Sequence, residues 1–153
     1  MLTIALLLAI HIVSVVFWVG GMAFAYAILR PSAGPLEAPV RLALWARVFA
    51  RFLPWVGVSA LALLITGFAM IFLMFGGMAD VPLYVNLMLG VGIVMMLIYL
   101  HLVFAPWKRL RRAVDAATWP EAAKALHQIR VLVGINTVLG TIVIVLGGSG
   151  RYW

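Results

Sequence analysis

The chain contains no cysteine and only four carboxylate side chains among its 153 residues. The absence of cysteine excludes disulfides, iron–sulfur clusters and thiolate metal sites. The four carboxylates, Glu37, Asp80, Asp115 and Glu121, lie outside the long uncharged stretches and form no pair suited to general acid–base work. Hydrolytic and acid–base catalysis are therefore poorly supported by the sequence.

Charge of either sign is also scarce: 10% of the residues are charged and 67% are hydrophobic. Four stretches carry no charge at all, namely residues 1–29, 52–79, 81–107 and 131–150. Each reaches the roughly 20 residues that a helix needs to cross a hydrocarbon core of about 30 Å. Barrel strands, by contrast, show only ten-residue alternating segments. We therefore predict an all-α polytopic membrane protein, an antiparallel bundle of four transmembrane helices in one domain over 1–153, with spans at about 2–29, 52–77, 82–107 and 127–148.

The positive charges are unevenly distributed along the chain. Ten of the eleven basic residues lie in 30–51 or 108–130, the first and third connections with their helix ends. The positive-inside rule predicts that these two segments are cytoplasmic and that both termini are outside, in an inner membrane of bacterial type. The net charge of +7 is then topogenic and directed at lipid headgroups. We expect a lipid bilayer as partner and no nucleic acid.

The first and third connections carry signals of local structure. Residues 36–51 form an amphipathic stretch, which we expect to lie along the membrane interface before the second span. Thr118 followed by Trp119, Pro120 and Glu121 has the pattern of a capping box with proline in the first turn. The fourth helix is therefore predicted to begin there and to run for about 30 residues, or about 45 Å.

Small and polar residues recur at helical spacing within the spans, and residues three, four and seven apart share a helix face. We expect these stripes to face neighbouring helices, since small and hydroxyl residues commonly pack membrane helices. The Gly21-x3-Ala25 spacing would equally suit a homodimer. The stripes comprise His11, Ser14, Trp18, Gly21 and Ala25; Ser59, Thr66, Met70 and Met74; and Asn86, Gly90, Leu97 and His101.

The three histidines are the main candidates for metal ligands. An imidazole in hydrocarbon is costly unless it is coordinated or hydrogen-bonded, and it is a favoured ligand for haem iron, copper and zinc. His11 lies deepest, His101 lies near the end of the third span, and His127 suits a solvated or headgroup position. A structural His11, bonded to Ser14 or to a neighbouring helix, is the alternative.

Two of these histidines could ligate one haem only if they lie at the same depth. Counted from the nearest helix ends, His11 and His101 differ in depth by about 5 Å; counted proportionally along the spans, they differ by about 12 Å. The first value permits a shared iron and the second forbids it without tilt. Alternatively, the haem iron could be held by His11 on one side and by a methionine on the other.

The methionines indicate an alternative to haem, a copper site. Met70, Met74 and Met78 fall at i, i+4 and i+8 on the second span, and Met88 lies near the start of the third. Thioethers suit Cu(I), although methionine is also a common gap-filler in apolar cores.

These residues together resemble the CopD/HemJ-like family of small four-span integral membrane proteins. Similar motifs occur in order over most of the chain: His11 with Trp18, Gly20 and Gly21; Arg51 with Ile65-Thr66-Gly67-Phe68; Leu83-Tyr84-Val85-Asn86-Leu87; His101; and Arg130 with Asn136. HemJ-type members are implicated in protoporphyrinogen oxidation and b-type haem, and CopD-type members in copper uptake or tolerance. Asn86 stands where HemJ-type members carry lysine, and Thr137 where they carry glutamate.

Three functional hypotheses follow. The first is a b-type haem protein for electron transfer or a small redox reaction on a porphyrin or quinone; as an enzyme it would be an oxidoreductase without the family's lysine and glutamate. Its cofactor-binding residues would be His11, His101, Trp18, Arg51 and Asn86, and its metal-ligating residues His11, His101 and His127. The second is copper transport or tolerance, with Met70, Met74 and Met88 as soft ligands and His11 as a midway station. The third is a non-catalytic membrane subunit.

Overall fold

A computed structural model describes residues 1–152, all of whose regular structure is helical. The helices are α1 (Leu2–Ser32), α2 (Ala38–Phe75), α3 (Leu83–Phe104), α4 (Pro106–Asp115) and α5 (Trp119–Ser149), followed by a 3₁₀ turn at Gly150–Tyr152. α1, α2, α3 with its continuation α4, and α5 are each long and apolar enough to cross a membrane. The prediction of an all-α bundle of four membrane-spanning helices is confirmed.

The antiparallel order gives the bundle two chemically different ends. The α1–α2 connection, α4 and the start of α5 lie at one end with ten of the eleven basic residues, and we call it the basic end. Both ends of the described chain and the α2–α3 connection lie at the other, which we call the terminal end. At the basic end, α4 buries Leu110 and Ala113 in the same apolar core as α5.

The amphipathic stretch before the second span does not lie along the interface. α2 runs without interruption through 38 residues and past Pro54, which makes it about 57 Å long at 1.5 Å per residue. Its first turns bury Leu42, Trp45 and Phe49, and the Phe49 ring lies 6.2 Å from that of Trp107. The apolar face therefore packs against the protein at the basic end, and the expectation of a separate interfacial segment was wrong.

α5 begins at Trp119, as predicted, and runs for 31 residues. Its first turn differs in detail from the expected capping box, because no side-chain hydrogen bond caps the helix. The Thr118 hydroxyl instead donates to the Ala113 carbonyl at 3.2 Å and lies 3.3 Å from Glu121 Oε2. The hydroxyl thus joins α5 to the end of α4.

The predicted stripe on α1 faces inward, and on α2 Ser59 and Thr66 are buried whereas Met74 is exposed. Ser14, Trp18 and Ala25 are buried on α1, which widens into π-helical turns at Val16–Gly20 and Ala25–Leu29. Gly21 lies beneath the Phe52 ring, which occupies the space that a side chain at this position would need. This small-residue stripe therefore serves packing within the chain.

The corresponding prediction for the third span was wrong. Asn86, Gly90, Leu97 and His101 are all exposed, and α3 instead buries Met95 and Leu102. The helix is apolar all round, so its few polar residues do not mark the core face. Asn86 needs no partner from another helix, because its side-chain Nδ2 donates to the Val81 carbonyl at 3.0 Å.

Gly140 lies where α5 closely approaches α1 and α3. A Cβ there would lie 2.7 Å from Val19 Cγ2 and 3.2 Å from Met95 Cε. We expect Gly140→Ala to lower the free energy of unfolding by about 1–3 kcal/mol through overpacking, measured by thermal unfolding in detergent. Gly90→Ala is the matched control, because a Cβ at Gly90 meets nothing within 4 Å. Equal stability of the two variants would contradict this packing.

Candidate functional site

A cavity of about 290 Å³ lies between α1, α2, α3 and α5 in the half of the bundle toward the terminal end. Most of its lining is aliphatic, with His11 as its one imidazole and a concentration of thioethers. The lining side chains that carry chemistry are His11, Trp18, Met70, Met74, Tyr84, Met88, Met95 and Met96. The cavity therefore combines one imidazole with several thioethers and no carboxylate.

His11 is anchored by a hydrogen bond from α1 to α2: its Nδ1 lies 2.8 Å from the Thr66 hydroxyl oxygen. That hydroxyl donates its single proton to the Ala62 carbonyl at 2.7 Å, so it accepts from His11. Nδ1 therefore carries the ring proton, and Nε2 keeps a free lone pair. A hydrogen bond that fixes the tautomer in this way is the usual support of a metal-ligating histidine.

The methionines come from two helices. Met70 and Met74 lie one turn apart on α2, one and two turns closer to the terminal end than Thr66. Met88 and Met95 lie two turns apart on α3, and glycines of α5 make room for them: a Cβ at Gly147 would lie 3.0 Å from Met88 Cε. Small residues on α5 thus hold the thioethers of α3 at the cavity.

Trp18 forms part of the floor of the cavity toward the basic end. It is 3% exposed, and its ring centroid lies 6.2 Å from that of Tyr99. The Tyr99 hydroxyl donates to the Leu53 carbonyl at 2.9 Å, which ties α3 to α2 just below the floor. A second hydrogen bond joins α5 to α3, since Asn136 Nδ2 donates to the Met95 carbonyl at 3.1 Å.

The structure does not bring His11 and His101 together. Trp18 is level with Tyr99, and His11 lies seven residues before Trp18, or about 10 Å closer to the terminal end. His101 lies two residues beyond Tyr99 toward the basic end, and its side chain is exposed. The depth difference agrees with the larger of the two values considered above, which separates the two rings too far for one iron.

The other proposed site residues are also dispersed. Arg51, Asn86 and His127 are exposed, and none of them lines the cavity. Within residues 1–152, no three His, Cys, Asp or Glu side chains form a group that could hold a metal ion. Roles for these residues in cofactor or metal binding stay predictions, whereas His11 and Trp18 share one cavity.

Sequence reasoning missed three of the eight lining side chains that carry chemistry. Tyr84, Met95 and Met96 belong to the face of α3 that the polar pattern placed outward. Of the two partners considered for His11, the neighbouring helix is confirmed through Thr66 of α2, whereas the Ser14 hydroxyl donates to the Ile10 carbonyl of its own helix at 2.8 Å. No signal in the sequence distinguished this face, because α3 is apolar all round.

Fold and cavity together define a small helical membrane protein with a methionine-rich cavity around one histidine. The family model for CopD, described as copper resistance protein D, matches residues 46–149, about two thirds of the chain. The chain belongs to the CopD family and is a copper-resistance-related integral membrane protein. The match covers the membrane-spanning part of α2 and all of α3, α4 and α5, but not His11. Searches of curated proteins and of solved structures find no match to the chain.

Proposed function

We propose that this protein binds Cu(I) as cargo in the cavity, in copper transport or tolerance. One observation carries the proposal: a single cavity is lined by His11, whose Nε2 has a free lone pair, and by Met70, Met74 and Met88. These are the same four residues that the sequence pattern indicates for copper. The family match to copper resistance protein D supports the same cargo.

The ligand chemistry selects a soft, singly charged ion. Thioether sulfur favours Cu(I), imidazole accepts copper readily, and hard cations prefer the oxygen ligands that this cavity lacks. All the candidate ligands are neutral, so the site cannot offset a second positive charge in an apolar surrounding. Cu(I) is therefore favoured over Cu(II) and Zn²⁺.

The distribution of positive charge favours entry of copper from the outer side of the membrane. With the basic end in the cytoplasm of an inner membrane, the cavity faces the outer side, where Met74 is 54% exposed. Copper would be captured at Met70, Met74 and Met88, reach His11, and be stopped there by the floor at Trp18. Passage beyond this point requires the floor to move.

The methionine ligands give the first test. We expect M70L/M74L to lower the affinity for Cu(I) at least tenfold, measured by competition with a chromophoric Cu(I) chelator in detergent. Leucine conserves the volume of methionine, so the fold should be retained. Met78 does not line the cavity, and M78L is the matched control. Unchanged affinity in the double variant would count against the proposal.

A b-type haem is the second candidate, and one observation favours it: a histidine and methionines share one cavity, and His with Met is a known axial pair. The size of the cavity disfavours it. About 290 Å³ lies below the range of about 300–1,000 Å³ that holds drug-sized ligands, and a haem is larger than most of these. A Soret band in the purified protein after haem supplementation, lost in His11→Ala, would support haem binding through His11.

A further inference from the structure

A second site lies at the basic end, away from the copper cavity. We propose that Arg30, Arg41 and Arg130 bind the phosphate of an anionic phospholipid between α1, the start of α2 and α5. Nothing in the copper proposal uses these residues, and the inference does not depend on it.

The three arginines gather positive charge at one place in the fold. The charges that act most strongly on Arg130 are those of Arg30 and Arg41, all of the same sign. The Nε of Arg130 is buried and has no hydrogen-bond partner among residues 1–152. The nearest carboxylate in sequence, Glu37, is exposed to its surroundings. The mutual repulsion of the three guanidinium groups is relieved by one bound anion.

Packing holds two of the arginines in place. The Arg30 guanidinium lies 5.1 Å from the centroid of the Tyr26 ring. That ring packs against Gly134, where a Cβ would lie 3.2 Å from Tyr26 Cε2, and Gly134 follows Arg130 by one turn of α5. The contact between Tyr26 and Gly134 therefore fixes α1 against α5 beside both guanidinium groups.

The third arginine belongs to the first turn of α2. Arg41 donates through one guanidinium nitrogen to the Gly34 carbonyl at 3.1 Å and to the Leu36 carbonyl at 2.9 Å. Glu37 is the N-cap residue of α2, its carboxylate makes no capping hydrogen bond, and the first turn itself contains no acidic residue. The positive end of the helix dipole therefore adds to the field of the guanidinium groups.

The chemistry and the position favour a lipid phosphate as the occupant. Guanidinium groups present a planar fork of donors that matches phosphate oxygens. Arg30 lies at the end of the first span and Arg130 just before the uncharged part of α5, which places both at headgroup depth. Basic pockets between membrane helices on the cytoplasmic side bind anionic lipid headgroups. Inorganic phosphate shares the chemistry but has no preference for this depth.

The test compares three probes on the full chain in detergent: phosphatidylglycerol, phosphatidylcholine and inorganic phosphate. Binding is followed by native mass spectrometry and by the midpoint of thermal unfolding. We expect phosphatidylglycerol to bind and to raise the midpoint more than phosphatidylcholine does, with little effect of inorganic phosphate. Arg130→Gln should lower the affinity for phosphatidylglycerol about tenfold or more, because it removes one charge-assisted hydrogen bond to the phosphate. Arg111→Gln is the control, an exposed arginine of α4 at the same end.

The possible results distinguish a lipid phosphate from a free phosphate ion at this site. Equal binding of the two lipids, or equal losses in R130Q and R111Q, would overturn the site. Stabilisation by inorganic phosphate as strong as that by phosphatidylglycerol would overturn the lipid assignment and leave a site for a free anion. If R130Q does not fold, Arg30→Gln replaces it, because Arg30 is exposed and its loss leaves no buried group unpaired; the same tenfold weakening is expected.

Discussion

Replacement of His11 with alanine is expected to lower the affinity for Cu(I) by at least about a hundredfold. His11 supplies the one nitrogen ligand of the cavity, and loss of a supporting partner alone typically costs about 10–100-fold in metal affinity. Loss of the ligand itself should cost no less. The measurement is a competition titration against a Cu(I) chelator, combined with copper accumulation in cells that express the variant.

The control for this variant is His127→Ala. His127 is exposed at the basic end and does not line the cavity, so its loss should leave the affinity unchanged. If H11A keeps the parental affinity while its unfolding midpoint falls, His11 is a structural partner of Thr66 and not a ligand. The third hypothesis, a non-catalytic subunit whose polar residues pack helices, would then gain support.

Thr66→Val is expected to weaken Cu(I) binding by about 10–100-fold, the usual cost of removing a partner that orients a metal-ligating histidine. The hydroxyl of Thr66 accepts from His11 Nδ1 at 2.8 Å and donates to the Ala62 carbonyl. Valine keeps the shape but not the acceptor, so the ring loses its preferred tautomer and orientation. Thr66 is in this sense a positioning residue.

Thr66→Ser separates positioning from packing. Serine restores the hydroxyl but leaves out the methyl group, so it should recover most of the copper affinity. A purely structural role predicts the opposite order, in which valine is tolerated better than serine because it fills the same space. Equal affinities for T66V and the parent protein would contradict the role of this bond.

Much of the fold could be predicted from the sequence because hydrocarbon imposes a simple rule. Uncharged stretches of 20 residues or more must be helical in a membrane, and the charges between them fix the number of spans. The continuity of α2 could not be predicted in the same way. An amphipathic stretch such as 36–51 buries its apolar face equally well against lipid or against protein, and only the position of α4 decides between them.

Individual residues of the site could be predicted from the sequence, but not the cavity that they line together. His11 and Thr66 were on inward stripes because a polar group in an apolar span must find a partner. On α3 this reasoning failed, because Asn86 satisfies its side chain on the Val81 carbonyl and His101 lies near a helix end. Met95 and Met96 carry no polar signal, so only the packing of α3 against α5 shows that they face the cavity.

The most direct test of the central claim is the X-ray absorption spectrum at the copper edge of the Cu(I)-loaded protein. We predict a first shell of mixed sulfur and nitrogen scatterers, with the nitrogen contribution lost in H11A and the sulfur contribution reduced in M70L/M74L. A shell of oxygen or nitrogen alone, identical in the parent protein and both variants, would contradict a copper site in this cavity.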